Sequence, residues 1–261
     1  MTVAERLRAS EVSQRLAAIA EVTEQGAAGP EILTALGECL GDARKAVQRQ
    51  AAEALAVLAR QGVPVEPTLL AALTAAEVGR RWGAAYALSL IGPPPPAALP
   101  VLLEVLGAND GDLRWASAHI IGRVEPRGRV AEPLRALVRT GSALARKMAL
   151  YCLRDLGPEA GDVQALVADA VADTDPGVRL AAMAALVRLA TNRPAAATHL
   201  VGCLGDPDEG VRRAAAASLG RLGERSAEVM TALRAAARSP DRALARAAEH
   251  ALAALDARRI D

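Results

Sequence analysis

Apolar positions recur along this chain at a spacing that belongs to helices. The block running through Val211, Arg212, Ala215, Leu219, Leu222 and Gly223 shows it most clearly. With Val211 as position zero, the block has an apolar residue at zero, Arg at one and Ala at four. Aliphatic residues follow at eight and eleven, and often Gly at twelve. The starts are Val47, Arg80, Leu113, Ala145, Val178, Val211 and Leu244, at successive intervals of 33, 33, 32, 33, 33 and 33 residues. Positions zero, four, eight and eleven lie on one stripe of a helix, so each copy predicts an amphipathic helix. Position four is small in every copy: Ala51, Ala84, Ser117, Ala149, Ala182, Ala215 and Ala248. A small residue there admits a neighbouring helix at close range. Position eight holds Leu55, Leu88, Ile121, Leu153, Leu186, Leu219 and Leu252, and position eleven Leu58, Ile91, Val124, Leu156, Leu189, Leu222 and Leu255.

Shorter apolar-periodic stretches lie between these helices: Pro30 to Leu40, Pro67 to Leu73, Ala97 to Leu106, Ala131 to Val138 and Val163 to Val171. They often open at or after Pro and close before Gly or Asp, the expected punctuation of a helix. Each unit is therefore helix A, a turn and helix B. No segment alternates with period two, so no strand is predicted. The expected fold is all-α: a right-handed superhelix of about seven helix-pair repeats forming a single structural domain over 30–261. The repeats run about 30–62, 63–95, 96–127, 128–160, 161–193, 194–226 and 227–261. Residues 1–29 are expected to form one further helix, a cap over Ile32 and Leu36.

Composition explains the close spacing. Of 261 residues 52% are hydrophobic, yet only two Trp, two Tyr and no Phe are present. A core without Phe must be layered thinly from Ala, Leu, Val and Ile, which argues against a sandwich or a deep pocket. Lys and Arg number 31 against 30 Asp and Glu, a net charge of +1 that supplies no overall basic field. Cys39, Cys152 and Cys203 are far apart and read as reduced, buried thiols. The N-terminus lacks the apolar core of a secretory signal, and no apolar run approaches the roughly 20 residues of a membrane helix. The expectation is a soluble, cytoplasmic chain with no membrane association.

The layout resembles the HEAT-repeat family, in particular its bacterial branch of PBS-lyase HEAT-like repeats, over about residues 30 to 261. The residues carrying the resemblance are Asp110, Asp175, Asp208 and Asp241, three before position zero, and Arg81, Arg114, Arg146, Arg179 and Arg212, one after it. The resemblance implies that these side chains cap the helices and tie neighbouring repeats into a ladder. The end repeats depart from it: Gln48 and Ala245 stand in place of the Arg, and Arg44 in place of the first Asp. Atypical terminal repeats are expected where a ladder stops.

Positions two and six of helix B point away from the buried stripe and predict a binding surface on a concave B-helix face. Position two carries Arg49, Trp82, Trp115, Lys147, Leu180, Arg213 and Arg246. Position six carries Glu53, Tyr86, His119, Tyr151, Ala184, Ala217 and His250. All four aromatic residues thus fall on two solvent-facing positions of three adjacent repeats, as one continuous patch. Aromatic side chains flanked by cations are the usual material of interface hot spots. Trp82, Tyr86, Trp115 and Tyr151, with His119, are expected to anchor a protein or peptide partner, and Arg49, Lys147 and Arg154 to meet its acidic groups. The bland alternative is that these side chains fill space between B helices. The expected assembly is a monomer or a partner-dependent complex.

The proline run Pro93–Pro96 is expected to stiffen a connection, with docking of an SH3-like or WW-like domain a lesser reading. The segments Asp173–Gly177 and Asp206–Gly210 read as turns and caps, because they lack the ligand spacing of a cation loop. HEAT-like enzymes offer three comparisons. Deoxyhypusine hydroxylases hold iron with His-Glu dyads, whereas this chain has only His119, His199 and His250, with Glu249-His250 in reverse order. Alkylpurine DNA glycosylases use an Asp among the groove aromatics, whereas Tyr86, His119 and Tyr151 fill position six in the three aromatic-bearing repeats. Phycobilin lyases share only scaffold residues. No catalytic residues, metal or cofactor are therefore expected. The alternative function is a nucleic-acid or flat, tetrapyrrole-like ligand binder, with glycosylase-like or lyase-like activity as its extreme.

Overall fold

The computed structural model describes residues 1–126, 128–157 and 163–258. The repeat borders expected at 127/128 and 160/161 and the last residues of the seventh repeat, 259–261, involve positions outside these. Within the described residues all regular structure is helical. Each B helix follows its A helix through a short turn: α3 (Pro30–Cys39) with α4 (Lys45–Arg60), α5 (Glu66–Ala72) with α6 (Val78–Ile91), and α7 (Leu99–Val105) with α8 (Gly111–Ile121). The series continues with α9 (Gly128–Thr140) and α10 (Ala143–Leu156), α11 (Gln164–Ala170) and α12 (Pro176–Leu189). It closes with α13 (Arg193–Gly202) and α14 (Glu209–Leu222), then α15 (Ala227–Ala236) and α16 (Arg242–Ala257). These are the seven helix pairs that the 33-residue register requires.

Residues 1–29 are not a single cap helix. They form α1 (Val3–Leu7) and α2 (Val12–Gln25), with α1 packed on α3 and α2 on α4. That is an eighth A/B pair. The register explains it: counting 33 back from Val47 reaches Gln14, followed by Arg15 at position one, Ala18 at four, Val22 at eight and Gly26 at twelve. Gly26 ends α2 in the left-handed region at φ 67°, where glycine carries no steric penalty.

The chain divides into two compact units. The first comprises 1–105 with 111–129, and the second 106–110 with 130–261. In unit 1, α2, α4 and α6 pack in series; in unit 2, α10, α12, α14 and α16 do so. The small position-four residues Ala51, Ala84, Ala149, Ala182, Ala215 and Ala248 are fully buried. Backbones come closer still at two glycines: a Cβ on Gly83 of α6 would lie 2.5 Å from the Leu40 carbonyl, and one on Gly220 of α14 would lie 2.9 Å from Ala251 Cα. One expected core residue differs: Ile91, at position eleven, is 40% exposed. It is the last residue of α6, and the chain leaves it in extended form through Gly92 into the prolines. Pro94 is buried, so the proline run is not presented whole. Among the described residues, no helix is long and apolar enough to cross a membrane.

Candidate functional site

The N-terminal turns of the B helices are held by a repeated arginine clamp. In unit 2, Arg179 Nη1 donates to the Asp173 and Thr174 carbonyls of its own A–B turn, at 2.8 and 3.2 Å. Its other two nitrogens reach Asp206 of the next turn at 2.7 and 2.8 Å. Arg146 grips Asp173 in the same bidentate way, at 2.7 and 2.8 Å. The rung carboxylates are therefore Asp173 and Asp206, five before position zero, and not Asp175 and Asp208 as expected. Asp175 and Asp208 are N-caps, each accepting the amide three residues on, from Val178 and Val211. Asp241 does both, because position minus five there is Ser239: it caps Leu244 and meets Arg212 Nη2 at 3.3 Å. Asp110 directly precedes α8, and Arg114 lies near the start of that helix. Burial pushes the Asp173 and Asp206 carboxyls up. The bidentate guanidinium and the amide two residues on outweigh it, so both are held below the ordinary carboxylate value.

Unit 1 starts the same ladder and then departs from it. Arg15 Nε lies 2.8 Å from Asp42 Oδ2, a rung whose residues sequence reasoning missed. At the next step Gln48 replaces Arg and donates Nε2 to the Leu40 and Gly79 carbonyls, at 2.7 and 3.0 Å. Position minus five of the following repeats is Ala75 and Ala108, with no acid to meet. Arg81 still clamps the Ala75 and Ala76 carbonyls, at 3.0 and 2.7 Å, but pairs with Glu104, itself half exposed, at 2.7 Å.

The aromatic residues divide. Trp82 is not solvent-facing: it is 8% exposed, and its Nε1 donates to Ser117 Oγ on α8 at 3.0 Å. Its size carries it across the gap between adjacent B helices, so this residue follows the packing alternative. Ser117 is the one hydroxyl in a position-four column that is otherwise Ala, a signal present in the sequence. Tyr86, one turn on, stacks on the Trp82 ring at 5.3 Å between centroids and 5° between planes, and stays partly exposed. Trp115 is 53% exposed on α8, with His119 also exposed one turn on.

These residues border a recess of about 170 Å³ within unit 1. Its α6 wall is Trp82 and Tyr86, and its α4 wall Lys45, Gln48 and Arg49. The α8 wall is Asp112, Leu113 and Ala116. Three expected site residues, Arg49, Trp82 and Tyr86, are thus brought together. Most of the newly found wall lies at the N-terminal ends of α4 and α8, which a projection through positions two, six and nine does not sample. Arg49 is exposed and has no carboxylate partner among the described residues.

Lys147, Tyr151 and Arg154 lie in unit 2 on α10. Arg154 sits over the Tyr151 ring at 5.0 Å and pairs with Asp155 at 2.7 Å. Lys147 is half-buried beside the first turn of α12, next to Gly177. Cys152 is buried and its thiol is pushed up to about 12, chiefly by desolvation, so it is held as the unreactive thiol. Among the described residues, no group of three His, Cys, Asp or Glu side chains converges as a metal site.

A family model of HEAT repeats matches residues 33–122, 99–187 and 163–253. No curated protein matches the chain. Among solved structures, an engineered protein from the Northeast Structural Genomics Consortium is similar over 97% of this chain and 77% of its own, at 19% identity and a TM-score of 0.50. Human deoxyhypusine hydroxylase in complex with glycerol is similar over 97% of this chain and 94% of its own, at 20% identity and a TM-score of 0.40. At 19% identity the likeness to the engineered protein extends to the fold alone.

Proposed function

Because the chain belongs to the HEAT-repeat family, we propose that it is a non-enzymatic scaffold that captures a protein or peptide partner on the B-helix face of unit 1. One observation supports the reading most: in a chain with four aromatic residues, Trp82 and Tyr86 wall one recess and Trp115 stands 53% exposed on the helix that closes it. An exposed indole beside a partly open aromatic pocket is the arrangement in which interface energy concentrates. Trp82 serves as the floor that holds Tyr86 in place, while Tyr86 and Trp115 make the contact. Arg49 and His119 supply its polar edge. In unit 2 the Tyr151–Arg154 pair, with Lys147 on the same helix, offers a separate contact of the same chemistry.

The test is capture of binding partners from the native organism by wild type and by the Tyr86→Ala/Trp115→Ala chain. The double variant should lose the captured partner while its helical circular dichroism stays that of wild type. Retention of the same partner by a folded double variant would overturn the reading.

A further inference from the structure

The recess in unit 1 also constrains what the partner presents. Pockets for drug-sized ligands and cofactors run from about 300 to 1,000 Å³. At about 170 Å³ the recess is below that range and suits one side chain of a longer molecule. Its walls sort by chemistry. Trp82, Tyr86, Leu113 and Ala116 offer an apolar lining, Lys45, Gln48 and Asp112 a polar one, and Arg49 stands at the α4 edge as an exposed cation with no carboxylate partner among the described residues. The position-one arginines of the ladder are matched, Arg15 with Asp42, Arg146 with Asp173 and Arg179 with Asp206, whereas Arg49 stands at position two, where Arg213 and Arg246 stand in later repeats. With two cations, Lys45 and Arg49, against one acid, Asp112, the lining favours an incoming carboxylate, which the Arg49 guanidinium can take in bidentate geometry.

Resting on the proposed peptide-binding function, we propose that this recess recognises a peptide in which one aliphatic side chain stands next to an acidic residue. The aliphatic group enters between Tyr86 and Leu113, and the carboxylate pairs with Arg49. The experiment is selection of short random peptides displayed on phage against the intact chain, followed by fluorescence anisotropy of the enriched peptides as labelled synthetic probes. Enriched sequences are expected to carry Leu, Ile or Met within two residues of Asp or Glu. Changing that acid to its amide, or using Arg49→Glu, should each weaken binding about tenfold or more, an effect that added salt reduces. Peptides that lose binding with Tyr86→Ala but carry no acid, or ignore Arg49→Glu, overturn this inference and leave peptide capture standing. No enriched peptide, or binding indifferent to Tyr86→Ala, overturns both. Binding of single-stranded oligonucleotides at Arg49 in preference to any peptide also overturns both.

Discussion

The two compact units use the same repeat in different ways. In unit 2, Arg146 and Arg179 each close a bidentate rung onto the acid of the next turn, and Arg212 continues the line to Asp241. The α14 and α16 backbones there approach to the limit that Gly220 allows. In unit 1 the rung at Arg15 gives way to a neutral glutamine and then to an arginine that reaches Glu104. There a tryptophan, and not a rung, joins α6 to α8. The irregular stretch is also where Trp82, Tyr86 and Arg49 border one recess, the place proposed for binding.

The largest effect that would break this contrast is at Trp82. Because it is buried and hydrogen-bonded, Trp82→Ala should cost about 3–5 kcal/mol through the cavity left and the hydroxyl of Ser117 stripped of its donor. Urea unfolding followed by circular dichroism measures it; a loss under about 1 kcal/mol would show that Trp82 is not the link between α6 and α8. Asp206→Ala comes next. It leaves Arg179, whose side chain is 10% exposed, without its partner, and should cost about 3 kcal/mol. Glu104→Ala, at the half-exposed rung of unit 1, should cost less than about 1 kcal/mol. Equal losses at the two sites would erase the distinction between the ladders.

Acid sharpens the same point. The Asp173, Asp206 and Asp241 carboxyls are lowered in the folded chain, so their contribution is present above the unfolded value near ~4 and is lost as pH falls through the folded values. The melting temperature should therefore fall as pH drops below about 5, and Asp206→Asn should flatten that slope. A slope unchanged by Asp206→Asn would remove the rungs from the account. A smaller effect than at Trp82 is expected at the half-exposed Trp115, where Trp115→Ala should cost about 1 kcal/mol or less.

Much of this was legible in the chain. The 33-residue spacing carried the seven helix pairs, and the small position-four column carried their close approach. The eighth pair escaped because Gln14 and Gln25 occupy positions zero and eleven, so the apolar stripe is broken although Arg15, Ala18, Val22 and Gly26 keep register. The acids of the ladder were placed at minus three because an aspartate recurs there. The side chain that reaches the preceding arginine starts two residues earlier, and only the fold of the turn decides between them. Trp82 was read as exposed because a helical projection treats each helix as an isolated cylinder. A large indole reaches beyond its own cylinder, and the serine that receives it sits 35 residues away.

The arginine clamp has a consequence for how such a chain can change length. The bidentate rungs of unit 2 join residues 27 apart, and each clamp grips carbonyls of its own turn, so neither depends on how many periods precede it. Excising residues 179–211, one 33-residue period, would splice Val178 onto Arg212. Arg212 would then inherit the Asp173 and Thr174 carbonyls while keeping Asp241 ahead of it. The seam would keep its carbonyl clamp and an acid ahead of it, which makes the number of periods in unit 2 a quantity that recombination can edit while the ladder stays continuous.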